Sequence, residues 1–85
     1  MSIEVRYARS FLRDLRNLES VAYEQICEVV FKDFLALKQI QDLPGLQPIT
    51  SDAIFYRFTI DNYMIGIEVT GHIVKFLRVL PKPNI

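Results

Sequence analysis

The stretch Phe55-Tyr56-Arg57-Phe58-Thr59-Ile60-Asp61-Asn62-Tyr63-Met64-Ile65-Gly66-Ile67-Glu68-Val69 decides the fold. Two runs rich in β-branched and aromatic residues flank Asp61-Asn62. Asp and Asn tolerate the backbone angles of a tight two-residue turn, so the stretch predicts a hairpin of strands over residues 54–60 and 63–70. Side chains alternate between the faces of a strand. Tyr56, Phe58 and Ile60 therefore point one way, and Phe55, Arg57 and Thr59 the other. Across the turn Ile60 opposes Tyr63 and Phe58 opposes Ile65, which brings Tyr63, Ile65, Ile67 and Val69 to the core face. Met64, Gly66, Glu68 and Thr70 share the open face with Arg57.

Gly71 marks the next turn, and a third strand covers residues 73–80 before Pro81 and Pro83, which cannot donate to a ladder. Its register has two solutions. A three-residue turn at Thr70-Gly71-His72 places Ile73, Leu77 and Val79 in the core and Phe76, Arg78 and Leu80 beside Arg57. A two-residue turn exchanges these sets and buries Arg78, because a slip of one residue reverses every side chain. The first register is preferred, since it leaves two arginines on the open face. Its cost is Lys75 on the core side, reaching out at an edge. The open face then carries Phe55, Met64, Phe76 and Leu80 around Arg57 and Arg78, a surface apolar enough to predict a covering partner.

Upstream, Ile3, Val5 and Tyr7 alternate with Glu4, Arg6 and Ala8, the period of a half-buried strand. Ser10 is placed to cap a helix in which Phe11, Leu12, Leu15 and Leu18 share one face. Arg13 and Arg16 lie opposite, with Arg9 just ahead of the cap. Such a basic stripe is either a solvated helix face or a surface for RNA. Ser20 is the expected cap of a second helix, with Tyr23, Ile26, Val30, Phe34 and Leu37 in one stripe and Glu24, Glu28 and Lys32 across from it. Phe31 and Leu35 stand four apart outside that stripe. They either meet a loop or the sheet edge, or form a docking site for a partner segment. Leu43-Pro44-Gly45-Leu46-Gln47-Pro48 stops the helix, and a loop follows to about Ser51-Asp52. The expected fold is α+β: an N-terminal strand, a two-helix hairpin, then a three-stranded antiparallel meander, with the helices packed on one face of the sheet.

The 85 residues predict one domain, 1–85. Ten basic and ten acidic side chains cancel, so there is no global pull towards nucleic acid and any such contact needs a local patch. Cys27 stands alone, which excludes an internal disulfide and a multi-cysteine metal site. The sequence shows no signal-like start and no apolar run near the ~20 residues that span a bilayer, so the cytoplasm is the expected compartment and no membrane is involved.

In element order, length and local motifs the chain resembles the RelE/ParE family of bacterial toxins. The carriers of the resemblance are Phe11-Leu12-Arg13-Asp14-Leu15 in the first helix, Tyr56, Arg57, Asp61 and Tyr63 in the hairpin, and Arg78, Lys82 and Ile85 at the end of the last strand. The resemblance implies a toxin held by a cognate antitoxin. For the RelE branch it implies occupation of the ribosome and cleavage of mRNA without metal or other cofactor. There the ribose 2′-hydroxyl attacks the adjacent phosphate while Lys and Arg stabilise the developing charge. Guanidinium forks match phosphate geometry, and fixed cations lower the barrier where charge develops.

Carried over residue by residue, Arg57 matches a cation of the hairpin and Lys82 the basic residue after the last strand; Arg78 lies near them. Catalysis is therefore expected from Arg57, Arg78 and Lys82, RNA contact from Arg9, Arg13 and Arg16, and partner contact from Phe31, Leu35 and Phe76. Three family cation positions hold Thr59, Met64 and Leu80 instead, and the terminal tyrosine has no counterpart. His72, lone and in a turn, reads as a surface residue. Arg57 has a plainer alternative, a surface pair with Glu68. The missing charges keep two other readings open: a ParE-like inhibitor of DNA gyrase, and a catalytically silent antitoxin-binding member.

Overall fold

The computed structural model describes residues 3–38, 40–43, 45–49, 51 and 54–82. Pro44, Asp52, Pro83 and Ile85, which entered the sequence reading, lie outside them. Strand β1 spans Glu4–Tyr7, helix α1 Arg9–Arg16 and helix α2 Ser20–Glu28. α2 continues into a π-helical turn at Val29–Asp33 and a 3-10 turn at Phe34–Ala36. A second 3-10 turn, Ile40–Asp42, leads to the short strand β2, Gln47–Pro48. Strands β3 (Phe55–Ile60), β4 (Tyr63–Thr70) and β5 (Ile73–Pro81) follow. The described strands form one sheet in the order β1-β5-β4-β3-β2, with β1 parallel to β5 and the other pairs antiparallel. The architecture is α+β as expected, apart from β2, which the sequence reading had left in a loop. Two residues long and carrying a proline, β2 gives almost no periodic signal.

The helices cover one face of the sheet. Phe11 and Leu15 of α1, and Ile26, Val30 and Phe34 of α2 and its extension, pack on Phe58, Ile65, Ile67, Val74, Phe76 and Val79. Ala22, Ile26, Val30 and Phe34 are all buried and stand four apart. In an ideal α-helix four residues overshoot one turn by about 40°. The wider turn at Val29–Asp33 takes up that overshoot and keeps Val30 and Phe34 facing the sheet. Tyr23, expected in the stripe, is exposed, with Ala22 buried in its place, and Leu12 of α1 is exposed as well. Ser20 is the first residue of α2, not its cap; Glu19 precedes it.

The β3–β4 hairpin follows the predicted register: Ile60 faces Tyr63, Phe58 faces Ile65 and Tyr56 faces Ile67, with Asp61 in the left-handed region at φ 51°. β5 obeys neither predicted register along its whole length. Its turn has two residues, so Thr70 faces Ile73, and Val74 and Phe76 enter the core. Ile67 then pairs with Phe76 while its neighbour Gly66 pairs with Arg78, leaving Leu77 as an extra residue. Such a bulge reverses the alternation beyond it. Val79 returns to the core, and Arg78 and Leu80 to the open face.

Phe76, expected on the open face as a partner contact, is instead fully buried, with its ring 5.1 Å from Phe11 and 4.9 Å from Phe34. Ile73 and Leu77, expected in the core, are half-buried, and Lys75 is exposed opposite Glu68 rather than on the core side.

The bulge also explains the placement of α1. β1 ends at Tyr7, opposite Phe76, and the Ala8 N–H donates to the Phe76 carbonyl at 2.9 Å. Beyond that point α1 covers the edge of β5. The Ser10 hydroxyl, expected to cap the helix, donates instead to the carbonyl of the bulged Leu77 at 2.6 Å; Ala8 holds the cap position. Asp14 Oδ2 accepts the Val79 N–H at 2.8 Å. Polar groups of a strand edge are thus met by two side chains one helical turn apart.

Candidate phosphate-binding face

Cross-strand pairing sorts the open face into rows. One runs Arg57, Gly66, Arg78 across β3, β4 and β5; the next runs Thr59, Met64, Leu80. Arg57 and Arg78 therefore share the uncovered face, as the sequence predicts. Thr59, Met64 and Leu80, the positions expected to differ from the family's cations, form a single neighbouring uncharged row.

Arg57 is exposed and turns towards Met64, with Nη1 3.9 Å from its sulfur. The expected alternative, a pair with Glu68, is not the arrangement found: Glu68 stands between Phe55 and Lys75. Lys82 follows β5 directly, and its backbone N–H donates to the Asn62 carbonyl at 2.7 Å, which ties it to the hairpin turn. Arg57 and Lys82 line one cleft of about 410 Å³, together with Gly45, Gln47, Thr59 and Met64. The structure thus brings together two of the three expected cations. Gly45 and Gln47 were missed by sequence reasoning because Gln47 opens the unrecognised β2 and Gly45 lies in the turn before it.

Arg78 is engaged elsewhere. Its Nε donates to Asp14 Oδ2 at 2.8 Å and its Nη2 to Asp14 Oδ1 at 3.2 Å, a two-pronged pair that reaches round the edge of the sheet to α1. The Asp14 side chain is 14% exposed and that of Arg78 51%. Burial alone would raise the Asp14 pKa. The hydrogen bonds from Arg78 and the Val79 N–H, and the charges of Arg78 and Arg13, outweigh it and hold the carboxyl below its ordinary value. Hydrogen bonding to Asp14 and its charge raise Arg78 in turn. Asp14, the partner of Arg78, is a residue the sequence reading did not single out. Its signal is faint: an acidic residue set directly beside Arg13 in an otherwise basic helix face.

Arg9, Arg13 and Arg16 are all exposed on α1. Phe31 settles on the sheet edge, its ring 5.0 Å from that of Tyr7, while Leu35 is 56% exposed. A second, mostly apolar cavity of about 340 Å³ lies between the π-helical turn and the end of β3, lined by Val29, Phe34, Leu37, Leu43 and Ile60 among others. Among the described residues no helix is long and apolar enough to cross a membrane.

No family model matches the sequence. The chain is 29% identical to Toxin RelE3 of Methanocaldococcus jannaschii over 84 residues, covering 98% of this chain and 94% of that protein. In three dimensions it matches the toxin–antitoxin complex RelBE2 from Mycobacterium tuberculosis with a TM-score of 0.75 at 20% identity, over 96% of this chain and 100% of that one. The RelB–RelE antitoxin–toxin complex from Methanococcus jannaschii matches with a TM-score of 0.72 at 27% identity, over 89% of this chain and 88% of that one.

Proposed function

We propose that the chain is the RelE-like toxin of a type II toxin–antitoxin pair, acting on messenger RNA at the ribosome in the cytoplasm; its 29% identity to a RelE toxin over nearly the full chain supports this reading. The observation that carries this reading is the shared cleft of Arg57 and Lys82 on the uncovered face of the sheet. An arginine and a lysine lining one cavity suit a phosphodiester, since a guanidinium offers a fork and an ammonium a point charge. In the cleavage the 2′-hydroxyl oxygen forms a bond to phosphorus as its proton passes to solvent. The bond from phosphorus to the 5′-oxygen breaks and that oxygen takes up a proton from solvent, with a 2′,3′-cyclic phosphate and a 5′-hydroxyl as products. Arg57 and Lys82 stabilise the negative charge that grows on the phosphoryl oxygens. The row Thr59, Met64, Leu80 supplies no charge beside them, so this chain is a slow cutter.

The test is cleavage of a defined message on programmed ribosomes, mapped by primer extension. Arg57→Ala is expected to lower the rate by ~10²–10³, the loss typical for one electrostatic stabiliser. Undiminished cleavage by Arg57→Ala would remove it from the site. The uncharged row favours a second reading, inhibition of DNA gyrase without RNA cleavage; intact messages together with gyrase poisoning in a parallel assay would establish it. In either case the partner is a cognate antitoxin, for which Leu35 and the outer edge of Phe31 offer apolar anchors.

A further inference from the structure

We infer that Arg78 is a third phosphate-binding position for single-stranded RNA, and that in the free chain Asp14 occupies it as an internal anion. The inference rests on the RNA reading above and extends it across the sheet from the Arg57 cleft.

Three observations carry it. Arg78 lies in the same cross-strand row as Arg57, with only the side-chain-free Gly66 between them. A Cβ built on Gly66 would meet nothing within 4 Å, so the floor between the two arginines is open to a backbone phosphate. The guanidinium of Arg78 is already presented through Nε and Nη2 to two oxygens of one carboxylate, the fork geometry that a phosphate also accepts.

The exchange of one anion for the other is inexpensive for the fold. Arg78 is half exposed, and ion pairs that reach solvent contribute little net stability. When Arg78 leaves, Asp14 is not orphaned: Oδ2 keeps the Val79 N–H at 2.8 Å, and the charge of Arg13 remains beside it. The carboxylate therefore holds the guanidinium in place without locking it there. It also lowers the affinity of the face for RNA, because each phosphate must first displace it.

The test is fluorescence anisotropy of a labelled oligouridylate with the purified chain, titrated at several salt concentrations. Arg78→Gln is expected to weaken binding and to reduce the salt slope by ~0.7, the value of one phosphate contact on a single strand. Asp14→Asn keeps an oxygen for the Val79 N–H and is expected to tighten binding about threefold. That gain should vanish when Arg78→Gln is already present, since residues acting through one another are not additive. An unchanged slope for Arg78→Gln, or a gain from Asp14→Asn that persists in the double variant, overturns the inference. If Asp14→Asn does not fold, the Arg78→Gln slope decides alone. Arg57→Ala separates the two levels of argument: loss of binding there with no effect at Arg78 defeats only this inference. A wild-type chain that does not bind the probe overturns this inference, whereas the ribosomal reading stands or falls by cleavage on programmed ribosomes.

Discussion

Arg57 and Arg78 stand on either side of Gly66, one residue from each of three adjacent strands. Two inter-strand steps of ~4.8 Å put their backbones roughly 10 Å apart. Gly66 is not among the glycines with positive φ, so its backbone does not require glycine. Gly66→Val is expected to leave thermal stability unchanged or raise it by ~0.5–1 kcal/mol, as a glycine is removed from a strand. It should nevertheless weaken RNA binding, because a branched side chain fills the floor between the arginines. Melting curves and oligonucleotide anisotropy check the two halves separately.

The uncharged row next to these arginines can be refilled. Thr59 is exposed and lines the Arg57 cleft. Thr59→Lys is expected to strengthen RNA binding and to steepen its salt dependence by ~0.7, with faster cleavage on programmed ribosomes. An unaltered slope would show that the row lies off the RNA path.

Phe76 is a core residue. Its ring meets Tyr7, Phe11 and Phe34, and Phe76→Ala is expected to cost ~3–5 kcal/mol in urea denaturation. A surface role would predict a change well under 1 kcal/mol.

Acid should loosen the α1–β5 edge. The Asp14 pKa in the folded chain lies below its ordinary 3.8. A depressed folded value means that the unfolded state binds more protons, so stability rises with pH. The contribution is fully present above the unfolded value, and it is lost as the pH falls through the folded one. Asp14→Asn should flatten that acid limb of the stability curve while leaving neutral-pH unfolding cooperative; an identical limb in both chains would contradict the assignment.

Leu35 and Phe31 separate partner binding from folding. Leu35→Ser should weaken co-purification with the antitoxin at unchanged melting temperature, because Leu35 is 56% exposed. Phe31→Ser should lower both, since it also removes a ring contact with Tyr7 of a kind worth ~0.5–1.5 kcal/mol.

The hairpin around Asp61-Asn62 was legible because its alternation is clean on both sides of the turn. The last strand was not, because Ile73, Val74, Phe76, Leu77, Val79 and Leu80 place an apolar residue on each face whichever register is drawn. Both registers were half right: the two-residue turn governs Val74 and Phe76, the other Arg78, Val79 and Leu80, and a bulge at Leu77 joins them. Periodicity cannot report a single inserted residue in a strand that is apolar throughout. The same blindness hid the π-helical turn, which keeps the stripe in phase while Phe31 falls outside it. Arg57 and Lys82 could be singled out from their motif positions, and they line one cleft. Asp14 could not, because its significance lies in Val79 and Arg78, more than sixty residues away.

β1 lies along β5, Glu4 beside Ile73 and Tyr7 beside Phe76. The opening strand thus waits for the closing one. While residues 73–81 are still within the exit tunnel, Phe11 and Leu15 have no finished sheet to settle on, and contacts this distant along the chain form late. On the function proposed above, a nascent chain stays harmless to the ribosome that makes it until β5 has emerged and paired with β1 and β4.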